Sequence, residues 1–113
     1  MVAPKYVPER GDIVWAYFEP HRGHEEAGRR PALVLTSKIY NHRANLMLIC
    51  PITSRLKGYP FEVSVEGEST KGVVLVDQVR AMDWNVRNVS FITKINSAKL
   101  LEVTQKLIAL ITT

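Results

Sequence analysis

The chain has 113 residues, 46% of them hydrophobic and 23% charged, with a formal net charge of +4. Such a length and composition fit one domain around one core and exclude an intrinsically disordered chain. No apolar run reaches the roughly eighteen residues of a membrane span, and the single cysteine, Cys50, excludes an internal disulfide.

Met1 to Glu9 is a proline-bearing lead-in without the apolar segment of a signal peptide, so the cytoplasm is the expected location. Gly11-Asp12 then opens a β-branched and aromatic run, Ile13 to Glu19, that reads as a strand ended by Pro20. Alternation sets Val14, Ala16 and Phe18 on one face and Ile13, Trp15 and Tyr17 on the other. Both faces are apolar, so both are expected to be covered. His21 to Arg29 is a charged loop carrying two glycines, and it feeds a second, buried strand over Ala32 to Thr36. Arg30 and Pro31 stand at the junction, where the proline biases Arg30 toward extended backbone.

Ser37 to Asn41 has the chemistry of a turn or short helix. A third strand lies within Asn45 to Pro51, and Ile52 to Tyr59 reads as a polar, basic loop. Phe61 to Val65 alternates as a half-exposed strand, Glu66 to Lys71 is a turn, and Gly72 to Val76 is a buried strand. Asp77 to Asn88 has mixed signals and predicts short turns, and Val89 to Ile95 predicts a last strand. Asn96 or Ser97 caps a terminal amphipathic helix of about four turns. Its apolar stripe is Leu100, Val103, Leu107, Ile108 and Ile111, and it is expected to face the core. Short strands joined mostly without helices, with one terminal helix, predict a small barrel or strongly bent antiparallel sheet over residues 1–113. A barrel of this size has no room for a central pocket, so a site must lie on its rim or between subunits.

The charge is unevenly distributed. From Ala27 through Phe61 there is no Asp or Glu, while Arg29, Arg30, Lys38, Arg43, Arg55 and Lys57 all fall there. A cationic middle points to a polyanionic partner, with RNA or DNA foremost. The three histidines show no metal-ligand spacing, and there is no phosphate-binding glycine motif or nucleophile elbow. Cys50 sits in an apolar run and reads as a small buried hydrophobe.

What remains suits phosphodiester chemistry on RNA, whose 2′-hydroxyl is a built-in nucleophile. Such a reaction needs a base, a cation over the phosphorane oxygens and a proton for the departing 5′-oxygen. Arg30 offers the cation, Thr53 or Ser54 a hydroxyl, and Glu25 or a histidine of the first loop the base.

The segments Gly11 to Pro20 (GDIVWAYFEP), Gly23 to Leu35 (GHEEAGRRPALVL) and Tyr40-Asn41 resemble, in order and spacing, the MazF family of bacterial toxin endoribonucleases, or mRNA interferases. So do Pro51 to Thr53 (PIT), Lys57 to Val63 (KGYPFEV) and Gly72 to Arg80 (GVVLVDQVR). The likeness runs from about Tyr6 to the C-terminus and weakens from Asn85 onward. It implies a mainly β, SH3-like small barrel with a C-terminal helix, of the MazF, CcdB and Kid toxin type, assembled as a homodimer. It implies metal-independent, sequence-specific cleavage of single-stranded RNA or mRNA, without a cofactor, to 2′,3′-cyclic phosphate and 5′-hydroxyl ends. The family's catalytic residues map onto Arg30, Thr53 and Glu25, and its RNA contacts onto His24, Ser54, Arg55, Lys57 and Gln78. Arg29 and the histidine positions 21 and 24 vary in the family. The implied partner is a MazE-like antitoxin with an acidic, partly apolar tail, which also brings the complex to operator DNA. Two other classes are weighed. One is a barrel toxin of similar fold that acts on DNA gyrase, but its Trp-Gly-Ile ending is replaced here by Ile111-Thr112-Thr113. The other is an inactive binding module.

Overall fold

The computed structural model describes residues 5–19, 28–67, 71–87 and 89–113. Among them the chain forms, in order, β1 (Asp12–Phe18), β2 (Gly28–Val34), α1 (Lys38–Ala44), β3 (Met47–Thr53), β4 (Glu62–Glu66) and β5 (Lys71–Leu75). A 3-10 turn (Val76–Gln78), β6 (Arg80–Met82), β7 (Ser90–Lys94) and α2 (Ser97–Thr112) complete it. The strands lie in the order β4-β5-β3-β2-β1-β7, every described pairing being antiparallel, and the sheet curls into a half-barrel with α2 against it. No helix among the described residues is long and apolar enough to cross a membrane.

Both sheet faces are buried, as the two-sided apolar pattern of β1 predicts. Ile13, Leu33, Cys50, Ile52, Val63, Val65, Val74 and Val76 form one core with Val103 of α2. Val14, Ala16, Phe18, Ala32, Val34, Met47, Ile49, Met82 and Trp84 form a second core. Trp15 is only half-buried and Tyr17 is exposed, so the far end of β1's other face is left open.

The helices begin where their caps require. Ser37 accepts the Tyr40 N–H at the start of α1, and Asn45 ends that helix in the left-handed conformation. Asn96 accepts the N–H groups of Ala98 and Lys99 at the start of α2. Asn41, fully buried, donates to the carbonyls of Pro8 and Thr36 and accepts from the Thr36 hydroxyl. Its carbonyl takes the Trp84 indole N–H at 2.9 Å. One asparagine therefore ties α1 to the lead-in, to the segment after β2 and to the second core.

Four expectations change. β2 starts at Gly28 rather than Ala32, because Gly28, Arg29 and Arg30 pair with Phe18, Tyr17 and Ala16. Pro31 is tolerated in a central strand because the ladder to β3 begins only at Ala32. β3 runs on to Thr53, so Ile52 and Thr53 belong to a strand rather than a loop; β5 supplies their partners, Val74 and Val73. Arg80–Met82 forms β6 on β3, where short turns are expected. The stripe on α2 is core only in part: Val103 is buried and Leu100 and Leu107 pack on it, but Ile108 and Ile111 are 52% and 71% exposed.

Candidate active site

β3 organises the rim. One edge pairs with β2. The other pairs with β6 at Met47 to Ile49 and with β5 at Ile52 and Thr53. Pro51 falls in the gap between those two, where the 3-10 turn leaves the ladder and carries Asp77 and Gln78 outward.

The β2–β3 register pairs Ala32 with Pro51. The paired ladder stops there; beyond it β3 runs on to Thr53 and β2 back to Gly28, and strand alternation keeps Arg30 on the side of Ala32 and Thr53 on the side of Pro51, so both are on the face of the second core. Arg30 also faces Ala16 of β1, so it stands at the rim of the second core, half-buried. Its neighbour Arg29 points to the other side, with its guanidinium 4.7 Å from the centre of the Trp15 ring. The two-residue period of a strand thus divides the arginine pair between the two faces.

Thr53 is 4% exposed, and its hydroxyl oxygen accepts the Arg55 N–H at 3.2 Å. That bond ends the strand with a side-chain-capped turn and occupies one acceptor site of the hydroxyl, leaving the O–H to donate. Ser54, Arg55 and Lys57 follow on the exposed loop. Its far end is held from below: the Glu62 carboxylate accepts the N–H groups of Lys57 and Gly58, and the Lys106 ammonium donates to the carbonyls of Pro60 and Glu62. The loop therefore presents Arg55, Lys57, Leu56 and Tyr59 outward from two fixed ends, with the Lys57 ammonium 5.8 Å from the centre of the Tyr59 ring. Cations interleaved with an exposed aromatic suit a strand of polyanion with flat bases.

Gln78 is half-buried on the 3-10 turn and borders a depression of about 220 Å³ shared with Asp77, Val79 and Arg80. Arg80 pairs with Ile49, and its guanidinium lies 4.5 Å from the centre of the Phe18 ring, on the face that carries Arg30. Sequence reasoning did not single Arg80 out as a site residue. Its signal was its place at the end of the family-like segment Gly72 to Arg80, while the strand of three residues that it opens is too short to show a period.

Of the predicted site residues, Arg30 lies on β2, Thr53 ends β3, Ser54, Arg55 and Lys57 follow on the adjoining loop, and Gln78 lies on the 3-10 turn. His24 and Glu25 lie outside the described residues. Cys50 is buried on the opposite face, where desolvation and then the nearby Asp77 push its thiol up to about 12. It holds no thiolate at neutral pH and is core, not a nucleophile. Guanidinium and hydroxyl groups on one face of the rim suit the oxygens of a phosphate or of a pentacoordinate phosphorus.

Residues 9–111 match the model of a family described as PemK-like, MazF-like toxin of type II toxin-antitoxin system. The endoribonuclease toxin MazF of Escherichia coli K12 is 46% identical over 83 residues, covering 74% of this chain and 75% of its own. A crystal structure of MazF from Deinococcus radiodurans superposes with a TM-score of 0.90 at 45% identity, covering 96% of this chain and all of that one. A MazE-MazF crystal structure from the same organism gives 0.85 at 46% identity, covering 95% and 97%.

Proposed function

The chain belongs to the PemK-like, MazF-like toxin family of type II toxin–antitoxin systems, and on that premise we propose that it is an endoribonuclease that cuts single-stranded RNA at a short sequence through the RNA's own 2′-hydroxyl. The 2′-oxygen attacks the adjacent phosphorus as its proton passes to a base. The bond from phosphorus to the 5′-oxygen breaks as that oxygen takes a proton. The products are a 2′,3′-cyclic phosphate and a 5′-hydroxyl, and no metal or cofactor takes part.

A guanidinium is a donor without an acceptor, so the role of Arg30 is to hold the phosphorane oxygens by charge, not to remove a proton. Thr53 donates its hydroxyl hydrogen bond to the same oxygens. Glu25 is the base. His24, Ser54, Arg55, Lys57 and Gln78 hold the RNA on either side, and Arg80 adds a cation on the Arg30 face. The observation that supports this reading is that half-buried Arg30 and buried Thr53 lie on neighbouring strands, β2 and β3, and by alternation on the same face.

The test is incubation of the purified protein with mixed-sequence RNA in EDTA, followed by sequencing of the ends. Cleavage at one recurrent short sequence, leaving 5′-hydroxyl and cyclic phosphate ends, is expected. Ends bearing a 5′-phosphate, or loss of activity in EDTA, overturn the mechanism. Poisoning of DNA gyrase without RNA cleavage would make it a toxin of the other class.

RNA binding is expected to be strongly salt-dependent. Log affinity should fall with log salt at a slope of about −0.7 for each phosphate neutralised on a single strand. Fluorescence anisotropy of a non-cleavable oligonucleotide measures the slope, and neutralising Arg55 or Lys57 should make it shallower. A flat dependence would remove the basic loop from the RNA surface.

A MazE-like antitoxin is the partner that restrains the toxin. The exposed cations of the Ser54–Tyr59 loop and the exposed Tyr17 and Leu56 suit its acidic, partly apolar tail. The homodimer, recruitment to operator DNA through the antitoxin, and action in the cytoplasm belong to the same proposal.

A further inference from the structure

Gly72 lies on β5 directly against the last residue of β3. A Cβ built on it would stand 3.0 Å from the Thr53 carbonyl carbon and closer still to the Thr53 carbonyl oxygen, with the Ile52 Cγ2 methyl at 3.4 Å. Two of these three neighbours are backbone, which has no rotamer by which to move aside. The glycine is therefore demanded by close approach, not by an unusual backbone angle.

We infer that Gly72 is a positioning residue for Thr53: it lets β5 press against the strand end and so sets where the Thr53 hydroxyl stands on the face that carries Arg30. This inference rests on the role proposed above for Thr53. β5 is held to β4 by five consecutive pairs, from Glu62 with Leu75 to Glu66 with Lys71. It is held to β3 by only two, Ile52 with Val74 and Thr53 with Val73. A methyl at position 72 thus meets a firm strand on its own side and a strand terminus on the other. The terminus yields, and Thr53 moves with the Arg55 N–H bond that orients its hydroxyl. Arg30, one strand further away, keeps its place on β2.

Single-turnover cleavage and RNA affinity of Gly72→Ala, Thr53→Ala and the double variant test this, with thermal melting of each. Gly72→Ala is expected to cut about 10- to 100-fold more slowly with RNA affinity within about twofold, because a displacement near 1 Å costs chemistry more than binding. The double variant is expected to be no slower than Thr53→Ala alone, since the glycine acts only through that hydroxyl. A Gly72→Ala protein that cuts at the wild-type rate overturns the inference, as does a double variant whose loss is the product of the two single losses. A Gly72→Ala protein that does not fold places the strain in the whole sheet and overturns it too. If Thr53→Ala itself cuts normally, the role proposed for Thr53 fails. If Thr53→Ala is slow while Gly72→Ala is fast, only the positioning fails.

Discussion

Arg30→Ala is expected to cut RNA about 10²–10³-fold more slowly than wild type, the usual cost of removing one preorganised group that meets charge as it develops in a transition state. The fold should survive. Arg30 sits two residues inside the open end of β2, half-buried, and its backbone pairing with Ala16 does not depend on the side chain. The stability change should stay near 1 kcal/mol or below, as for most changes outside a core. Arg30→Lys should recover only part of the rate, because an ammonium cannot present two parallel N–H groups to two phosphate oxygens. Arg29→Ala makes the useful contrast. Its guanidinium stacks on Trp15 on the other face, so its loss should leave the rate of the chemical step nearly unchanged. The measurement is single-turnover cleavage at saturating enzyme, with melting temperatures alongside. Near-wild-type cleavage by Arg30→Ala would sink the mechanism, and equal losses for the two arginines would sink the assignment by face.

Thr53→Val is expected to lose about 10²-fold or more in the same assay while keeping most of the packing, because it deletes the hydroxyl and retains the shape. Thr53 is 4% exposed beneath the loop it begins, and its oxygen takes the Arg55 N–H. Losing that bond costs about 1 kcal/mol of stability and loosens the loop carrying Ser54 and Arg55. Valine therefore tests chemistry and capping together, and Thr53→Ser separates them. Serine restores both the O–H and the acceptor, so it should regain most of the rate. If Thr53→Ser were as slow as Thr53→Val, the methyl rather than the hydroxyl would matter, and Thr53 would be a packing residue.

Much of this was legible in the chain. Period-two alternation in Ile13 to Glu19 assigned the two faces of β1, and both faces are buried along most of the strand. Asn96 caps α2, and β4, β5 and β7 fall within a residue or so of where their apolar runs predict them. The motif order pointed to the family. These are local signals: a run of six residues carries its own propensity and a cap carries its own acceptor, so no partner is needed to read them.

The rest depended on which strands became neighbours. Arg29, Arg30 and Pro31 have poor strand chemistry, and Ile52-Thr53 opened what looked like a polar loop, yet all five extend strands because β1 and β5 offer them pairing. β6 is three residues long and is held by β3. Arg80 reaches the Arg30 face only through that pairing, and Gly72 gains its meaning only from the Thr53 carbonyl pressed against it. Alternation along the chain shows that two adjacent arginines must part company. It does not say which of them meets the rim where Thr53 stands. A strand's hydrogen bonds and the far side of its faces are supplied by residues distant in sequence, and register is a property of the pair. The sequence by itself thus determined most of the elements and the chemical types at the site, and the tertiary pairing decided β6, the lengths of the strands and which residues share a face.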